Sequence, residues 1–128
     1  MIVGKATEFS RDFELEQAQE RKVLLNKAIE FLREEVRETE EAIEAEDREE
    51  IIDGFGDVAF IALNGIYKEF RSSGNSHETA SEKVTEVMNR ICNANLGKKH
   101  PDGTIKYNNG KVQKPEGWRP PEYKDMLG

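Results

Sequence analysis

The chain has 128 residues, a single cysteine (Cys92) and a formal net charge of −7. A domain of this length buries a core without cross-links, and one cysteine excludes an intrachain disulfide and a cysteine-based metal site. The acidic balance argues against general nucleic-acid binding, and no apolar run approaches the roughly 20 residues of a membrane helix. Residues 1–13 lack the continuous apolar region of a signal peptide. We therefore expect a soluble, cytoplasmic protein.

The charge is unevenly distributed along the chain. Residues 98–128 contain seven basic and four acidic side chains, so this segment carries +3 and residues 1–97 carry −10. Such a pattern is compatible with simple solubility, and equally with an acidic body that binds metal cations and a basic tail that binds phosphates. We expect one domain with two parts, a helical core at residues 1–97 and a basic, extended tail at residues 98–128.

Four segments are predicted to be helical, so the expected fold class is all-α, a four- to five-helix bundle with an extended C-terminal loop or short hairpin. The first segment, residues 6–17, is the weakest candidate. The second, residues 19–46, has the three- and four-residue spacing of a helix. One of its stripes starts apolar and continues with carboxylates: Leu24, Ala28, Phe31, Glu35, Glu38 and Ala42. Two carboxylates thus share a face with core residues.

The third segment, residues 48–71, contains an almost uninterrupted apolar stretch at residues 51–67, which is typical of a central, buried helix. The charged residues of that stretch are Asp53 and Asp57. It also contains three glycines: Gly54, Gly56 and Gly65. Each weakens a helix by about 1 kcal/mol, so we expect a neighbouring helix or a ligand to approach closely there.

The fourth segment, residues 76–96, has Ser76, or Thr79 with Glu82 three residues on, as a candidate cap. Cys92 lies near its apolar face, where we expect a core position. After Gly97 the helical pattern ends. Residues 104–113 favour a short hairpin around an Asn-Asn-Gly turn. The prolines of residues 114–123 predict an extended conformation.

Two pairs of carboxylates lie three residues apart on adjacent helices, Glu35 with Glu38 and Glu50 with Asp53. The short linker predicts antiparallel helices, which brings the two pairs face to face. Clustered carboxylates need cations when they are buried. Because the ligands are hard oxygens, without thiolate or histidine, they favour Mg²⁺ or Mn²⁺.

A simpler interpretation exists for part of this pattern. The chain is rich in glutamate, so a glutamate string arises easily on a solvated helix face. Glu50 is also near a helix N-terminus, where a negative charge is stabilised by the helix dipole. Asp53 and Asp57 are harder to explain in this way, because their helix is otherwise apolar, and the combination favours a metal site.

The string Glu34-Glu35-x-x-Glu38, followed after eleven residues by Glu50-x-x-Asp53 and Gly56-Asp57, resembles the motif of the MazG-like all-α NTP pyrophosphohydrolases. That superfamily includes dimeric dUTPases, dCTP pyrophosphatases and phosphoribosyl-ATP pyrophosphohydrolase. The resemblance covers residues 30–114. Many members have an acid where this chain has Gly54, which leaves the number of metal ions open.

The resemblance implies a Mg²⁺-dependent hydrolase of nucleotide metabolism that cleaves a (d)NTP to a (d)NMP and pyrophosphate, and that forms a homodimer or homotetramer. Glu34 would orient or deprotonate the attacking water. The implied metal-binding residues are Glu35, Glu38, Glu50 and Asp53, with Asp57 supporting the site from the next turn.

Residues 91–99 and 110–115 resemble the phage and bacterial branch of the same superfamily. In that branch an asparagine near the helix end and lysines of the following loop lie at the nucleotide. The substrate-binding residues implied here are Asn95, Lys98, Lys99, Lys111 and Lys114. A solvated tail explains the same lysines. Trp118 either stacks on a base or anchors the tail.

The sequence is compared with three alternatives, two for the function and one for the substrate. A di-iron carboxylate bundle needs Glu-x-x-His pairs, and glycines precede both His77 and His100 by three residues. Phosphoribosyl-ATP as the substrate keeps the fold and the metal site. A non-catalytic helical binding module would have the same fold with a degenerate site, which the intact ligand positions argue against. Base and sugar preference depends on pocket walls, for which Asn64 is a candidate by position.

Overall fold

The computed structural model describes residues 2–14 and 20–127. Its helices are α1 (Ile2–Phe9), α2 (Arg21–Glu44), α3 (Arg48–Ser72) and α4 (His77–Leu96), and a π-helical turn at Ser10–Glu14 follows α1. Two short strands, β1 (Lys106–Asn108) and β2 (Lys111–Gln113), and a 3₁₀ turn at Lys124–Met126 complete the described elements. The all-α class with a short C-terminal hairpin is confirmed.

Contacts divide the chain into two compact units, one ending at Val84 and the other beginning at Thr85. The division falls inside α4. Among the described residues, no helix is both long enough and apolar enough to cross a membrane.

The first helix lies earlier in the sequence than expected. Regular α-helix ends at Phe9 and not near residue 17, and residues 15–17 lie outside the described part of the chain. The helix buries Ala6 and Thr7, and Thr7 Oγ1 lies 2.8 Å from Ser81 Oγ on α4. Small and hydroxyl side chains give no apolar periodicity, so the start of this helix was not visible in the sequence.

Helices α2 and α3 form the central pair of the first unit. The loop between them spans residues 45–47, and Glu46 adopts a left-handed conformation with φ 53°. Asp47 caps α3, since its Oδ1 accepts the Glu50 N–H at 3.3 Å. A helix–loop–helix connection this short holds the two helices side by side.

Helices α2 and α3 approach each other closely at Gly54. A Cβ atom built on Gly54 would lie 2.1 Å from Thr39 Oγ1 and 3.0 Å from Thr39 Cβ, so an ordinary side chain does not fit. The expected close approach of a neighbouring helix is confirmed at this glycine. At Gly56 and Gly65, apart from the adjacent residues and the nearby backbone of α3 itself, no atom of the described chain lies within 4 Å of such a Cβ.

Two burial expectations were wrong. Helix α3 is not covered on all sides, because Ile52 and Phe55 are 71% and 60% exposed; α1 and α2 cover other faces of it. Cys92 is exposed, since it follows the buried Val84 by eight residues, about 80° further round the helix.

The second unit contains the hairpin and the C-terminal segment. Asn109 and Gly110 form its two-residue turn with φ of 52° and 78°, the combination that a type I′ hairpin requires. Trp118 Nε1 donates to Ala94 O at 2.7 Å. Trp118 thereby fastens the proline-containing segment to the end of α4, in agreement with an anchoring role.

Candidate functional site

Five of the predicted site residues lie together between α2 and α3. They are Glu34, Glu35 and Glu38 on α2 and Asp53 and Asp57 on α3, and we call them the acidic cluster. The pKa of Glu35 is raised, first by partial burial and then by the negative charges of the other four members. Glu35 on α2 is therefore near enough to Asp53 and Asp57 on α3 for their charges to interact.

Asp57 is the second perturbed member of the cluster. Partial burial raises its pKa, and the charge of Asp53 and a hydrogen bond with Asp53 raise it further. Asp53 and Asp57 are one turn apart on α3, so their carboxylates share a face. A divalent cation would relieve this repulsion, which is why the cluster is a candidate metal site.

Glu50 is placed differently from the other predicted ligands. It is exposed, its N–H donates to the capping Asp47, and its charge is not among the causes that raise the pKa of Glu35 or Asp57. Its position in the first turn of α3 suits a dipole-stabilising carboxylate. A ligand role for Glu50 stays a prediction.

The donor chemistry of the acidic cluster suits a hard divalent ion, since every member offers carboxylate oxygens. Within residues 2–14 and 20–127, however, no three Asp, Glu, His or Cys side chains converge closely enough to hold an ion as they stand. Like charges repel one another when no cation lies between them, so the side chains would have to move inwards to coordinate one.

A cavity of about 410 Å³ adjoins the acidic cluster. Its walls combine two carboxylates, three aromatic rings and a polar end: Phe9, Phe31, Glu35, Asp57, Phe60, Ile61, Asn64 and Lys68. The rings of Phe9 and Phe60 meet edge to face with centroids 5.4 Å apart. Concave apolar walls with a few convergent polar groups are typical of small-ligand sites.

The polar end of the cavity is built by α3. Asn64 is 2% exposed, accepts a hydrogen bond from Ser10 Oγ and donates to Phe60 O at 2.9 Å. Lys68, one turn further, is also 2% exposed. Sequence reasoning named Asn64 but missed Lys68 and the three phenylalanines. The four-residue spacing of Phe60, Asn64 and Lys68 on α3 was the available signal.

The predicted substrate-binding residues lie in the second unit. Asn95, Lys98 and Lys99 line a cavity of about 480 Å³ together with Tyr107. The ammonium groups of Lys98 and Lys114 lie 5.5 Å and 4.7 Å from the centroid of the Trp118 ring. These cation–π contacts give both lysines a structural role.

Lys111 is exposed on β2, and it is not among the residues that line this second cavity. A contact of any of these side chains with phosphate stays a prediction.

No family model, curated protein or solved structure matches the chain. The resemblance therefore depends on the sequence motifs alone, at residues 34–57, 91–99 and 110–115.

Proposed function

We propose that the chain is a Mg²⁺-dependent nucleoside triphosphate pyrophosphohydrolase, which cleaves a (d)NTP to a (d)NMP and pyrophosphate. The observation that carries the proposal is the cavity beside the acidic cluster. Glu35 and Asp57 belong to both features, so a ligand in the cavity lies next to the carboxylates. An aromatic cavity suits a nucleoside, and a carboxylate cluster suits the cation that accompanies phosphates.

In this proposal Glu35, Glu38, Asp53 and Asp57 hold the cation, with Mn²⁺ as a substitute for Mg²⁺. A divalent ion held there would neutralise phosphate charge and lower the pKa of the attacking water. Glu34 is an exposed member of the acidic cluster and accepts the proton of the attacking water. The cavity walls hold the nucleoside and keep bulk water away from it.

The exposed face of α3 supports assembly with a second copy of the chain. Ile52, Phe55, Gly56 and Ala59 are exposed on this helix, and contiguous apolar surface of this kind is typical of subunit interfaces. This surface would be covered in a homodimer or homotetramer. The proposal further places the protein in the cytoplasm, acting on a free nucleotide, without a nucleic-acid or membrane partner.

The test is pyrophosphate release from a panel of ribo- and deoxynucleoside triphosphates and phosphoribosyl-ATP, with and without Mg²⁺. We expect Mg²⁺-dependent release from one or a few members, and its loss in Glu38→Gln and Asp53→Asn with helical content retained. Glu44→Gln, an exposed glutamate in the last turn of α2, is the matched control and keeps activity.

The outcomes separate the alternatives. Release from phosphoribosyl-ATP alone would assign the other substrate class. No release from any substrate by the folded protein would reject the enzymatic proposal in favour of a binding module. Loss of the fold in both carboxylate variants would make the acidic cluster structural.

A further inference from the structure

We propose that the cavity selects bases that present a carbonyl oxygen at the edge that enters it, namely uracil, thymine, guanine or hypoxanthine, and that Lys68 is the residue that selects. This inference rests on the proposed function, because it assumes that the cavity holds the base of a nucleotide. It goes further by naming the class of base and the residue that recognises it.

The first step is the burial of Lys68. Lysine is almost never fully buried unless its ammonium group is paired. Lys68 is 2% exposed, interacts within the protein and contributes to the cavity wall. An ammonium group has three N–H donors and no acceptor, so towards a ligand in the cavity Lys68 can act only as a donor. A carbonyl oxygen accepts such a hydrogen bond, whereas an exocyclic amino group opposes it.

The second step is the fixed orientation of Asn64, which lies one turn before Lys68. Its side-chain oxygen accepts from Ser10 Oγ and its amide nitrogen donates to Phe60 O. These two hydrogen bonds fix the orientation of the amide. Its oxygen can accept one more hydrogen bond, and its NH₂ group can donate one more. Such an amide complements the adjacent N–H and C=O groups of a lactam edge, which uracil, thymine, guanine and hypoxanthine have.

The third step is the separation along α3. Asp57 and Lys68 are eleven residues apart in one helix, which is roughly 16 Å of helix axis. The carboxylates are thus at one end of the cavity wall and the lysine at the other. A nucleotide whose phosphates lie at the acidic cluster would direct its base towards Asn64 and Lys68, with Phe9, Phe31 and Phe60 around the ring.

Two nucleotide pairs isolate the recognised group. Uracil and cytosine exchange a carbonyl for an amino group at the same ring position, as do hypoxanthine and adenine. Binding of the four deoxynucleoside monophosphates to the full chain is measured by isothermal titration calorimetry. Because a hydrogen bond from a charged donor is at stake, we expect dUMP and dIMP to bind about tenfold or more tightly than dCMP and dAMP.

Lys68→Met removes the charge at similar length, and the preference should then fall to within about twofold. Lys27→Met, an exposed lysine of α2, is the matched control and keeps the preference. Lys68→Gln replaces Lys68→Met if circular dichroism shows that the latter does not fold. If the wild-type protein binds dUMP no more tightly than dCMP, and dIMP no more tightly than dAMP, the inference is wrong. It is also wrong if a folded Lys68 variant keeps the wild-type preference.

Monophosphate binding separates this inference from the proposed function. A carbonyl preference that depends on Lys68, without pyrophosphate release from any triphosphate, would support the base site and reject the enzyme. Pyrophosphate release without any carbonyl preference would support the enzyme and reject the role of Lys68.

Discussion

Replacing Gly54 with alanine tests how closely α2 and α3 must approach to assemble the acidic cluster. The new Cβ would lie 2.1 Å from Thr39 Oγ1, and Thr39 is held in place because its hydroxyl donates to Glu35 O at 2.7 Å. The clash therefore pushes the helices apart at the level of Glu35 and Asp53. We expect Gly54→Ala to lower both the stability and the proposed activity.

The magnitude follows from two opposing effects. Overpacking a close contact costs about 1–3 kcal/mol, while alanine in place of glycine favours a helix by about 1 kcal/mol. Gly65 supplies the matched control, since it lies on the same face of α3, three turns on. Apart from the adjacent residues and the nearby backbone of α3 itself, nothing in the described chain lies within 4 Å of a Cβ added there. We expect Gly65→Ala to be stabilising and the two variants to differ by about 1–3 kcal/mol in their free energy of unfolding.

Urea denaturation followed by circular dichroism measures this difference. Adding Thr39→Ala to Gly54→Ala removes Oγ1 and Cγ2 and should recover part of the lost stability, which gives a favourable coupling in a double-mutant cycle. Equal stability of the Gly54 and Gly65 variants, or no coupling with Thr39, would refute the close approach of the two helices.

Three further predictions follow from the charges and hydrogen bonds. The pKa of Glu35 is raised above its ordinary value of 4.5, so without metal the folded state binds more protons than the unfolded state. The stability of the protein therefore falls as the pH rises from the unfolded-state pKa through the raised, folded-state pKa of Glu35. Glu35→Gln should weaken this pH dependence and raise the melting temperature at neutral pH, which scanning calorimetry measures. Arg90→Ala removes the two-pronged contact with Asp125, at 2.7 and 2.8 Å, together with the hydrogen bonds to Glu86 and to Glu122 O. Because Asp125 is largely exposed, we expect little change in the free energy of unfolding but faster proteolysis of the C-terminal segment. Tyr67→Phe leaves His77 Nδ1 without its 2.8 Å partner and should cost about 1 kcal/mol in urea denaturation, and unchanged stability would argue against this contact.

The helices that carry the acidic cluster were predictable because their signals are local. The three- and four-residue spacing fixed both the existence of α2 and α3 and the shared face of Glu35 and Glu38. Gly54 in an apolar helix indicated a close neighbour, and Thr39 is that neighbour. The Asn-Gly turn has a backbone conformation that these residues adopt readily, so the hairpin was predictable too.

The features that were missed depend on tertiary contacts. Lys68 looks like a solvated residue near the end of a helix, and its burial results from the packing around it. Phe9 enters the cavity because α1 and the following turn pack on α3.

The central claim, that the acidic cluster binds a divalent cation with a triphosphate, is tested most directly by electron paramagnetic resonance with Mn²⁺. The account predicts that the signal of free Mn²⁺ falls when the protein is added, falls further with a non-hydrolysable nucleoside triphosphate, and is unaffected by protein that carries Glu35→Gln and Asp57→Asn. Glu44→Gln should behave as the wild type. The account would be contradicted if the wild-type protein did not bind Mn²⁺, or if the doubly substituted protein bound Mn²⁺ as well as the wild type does.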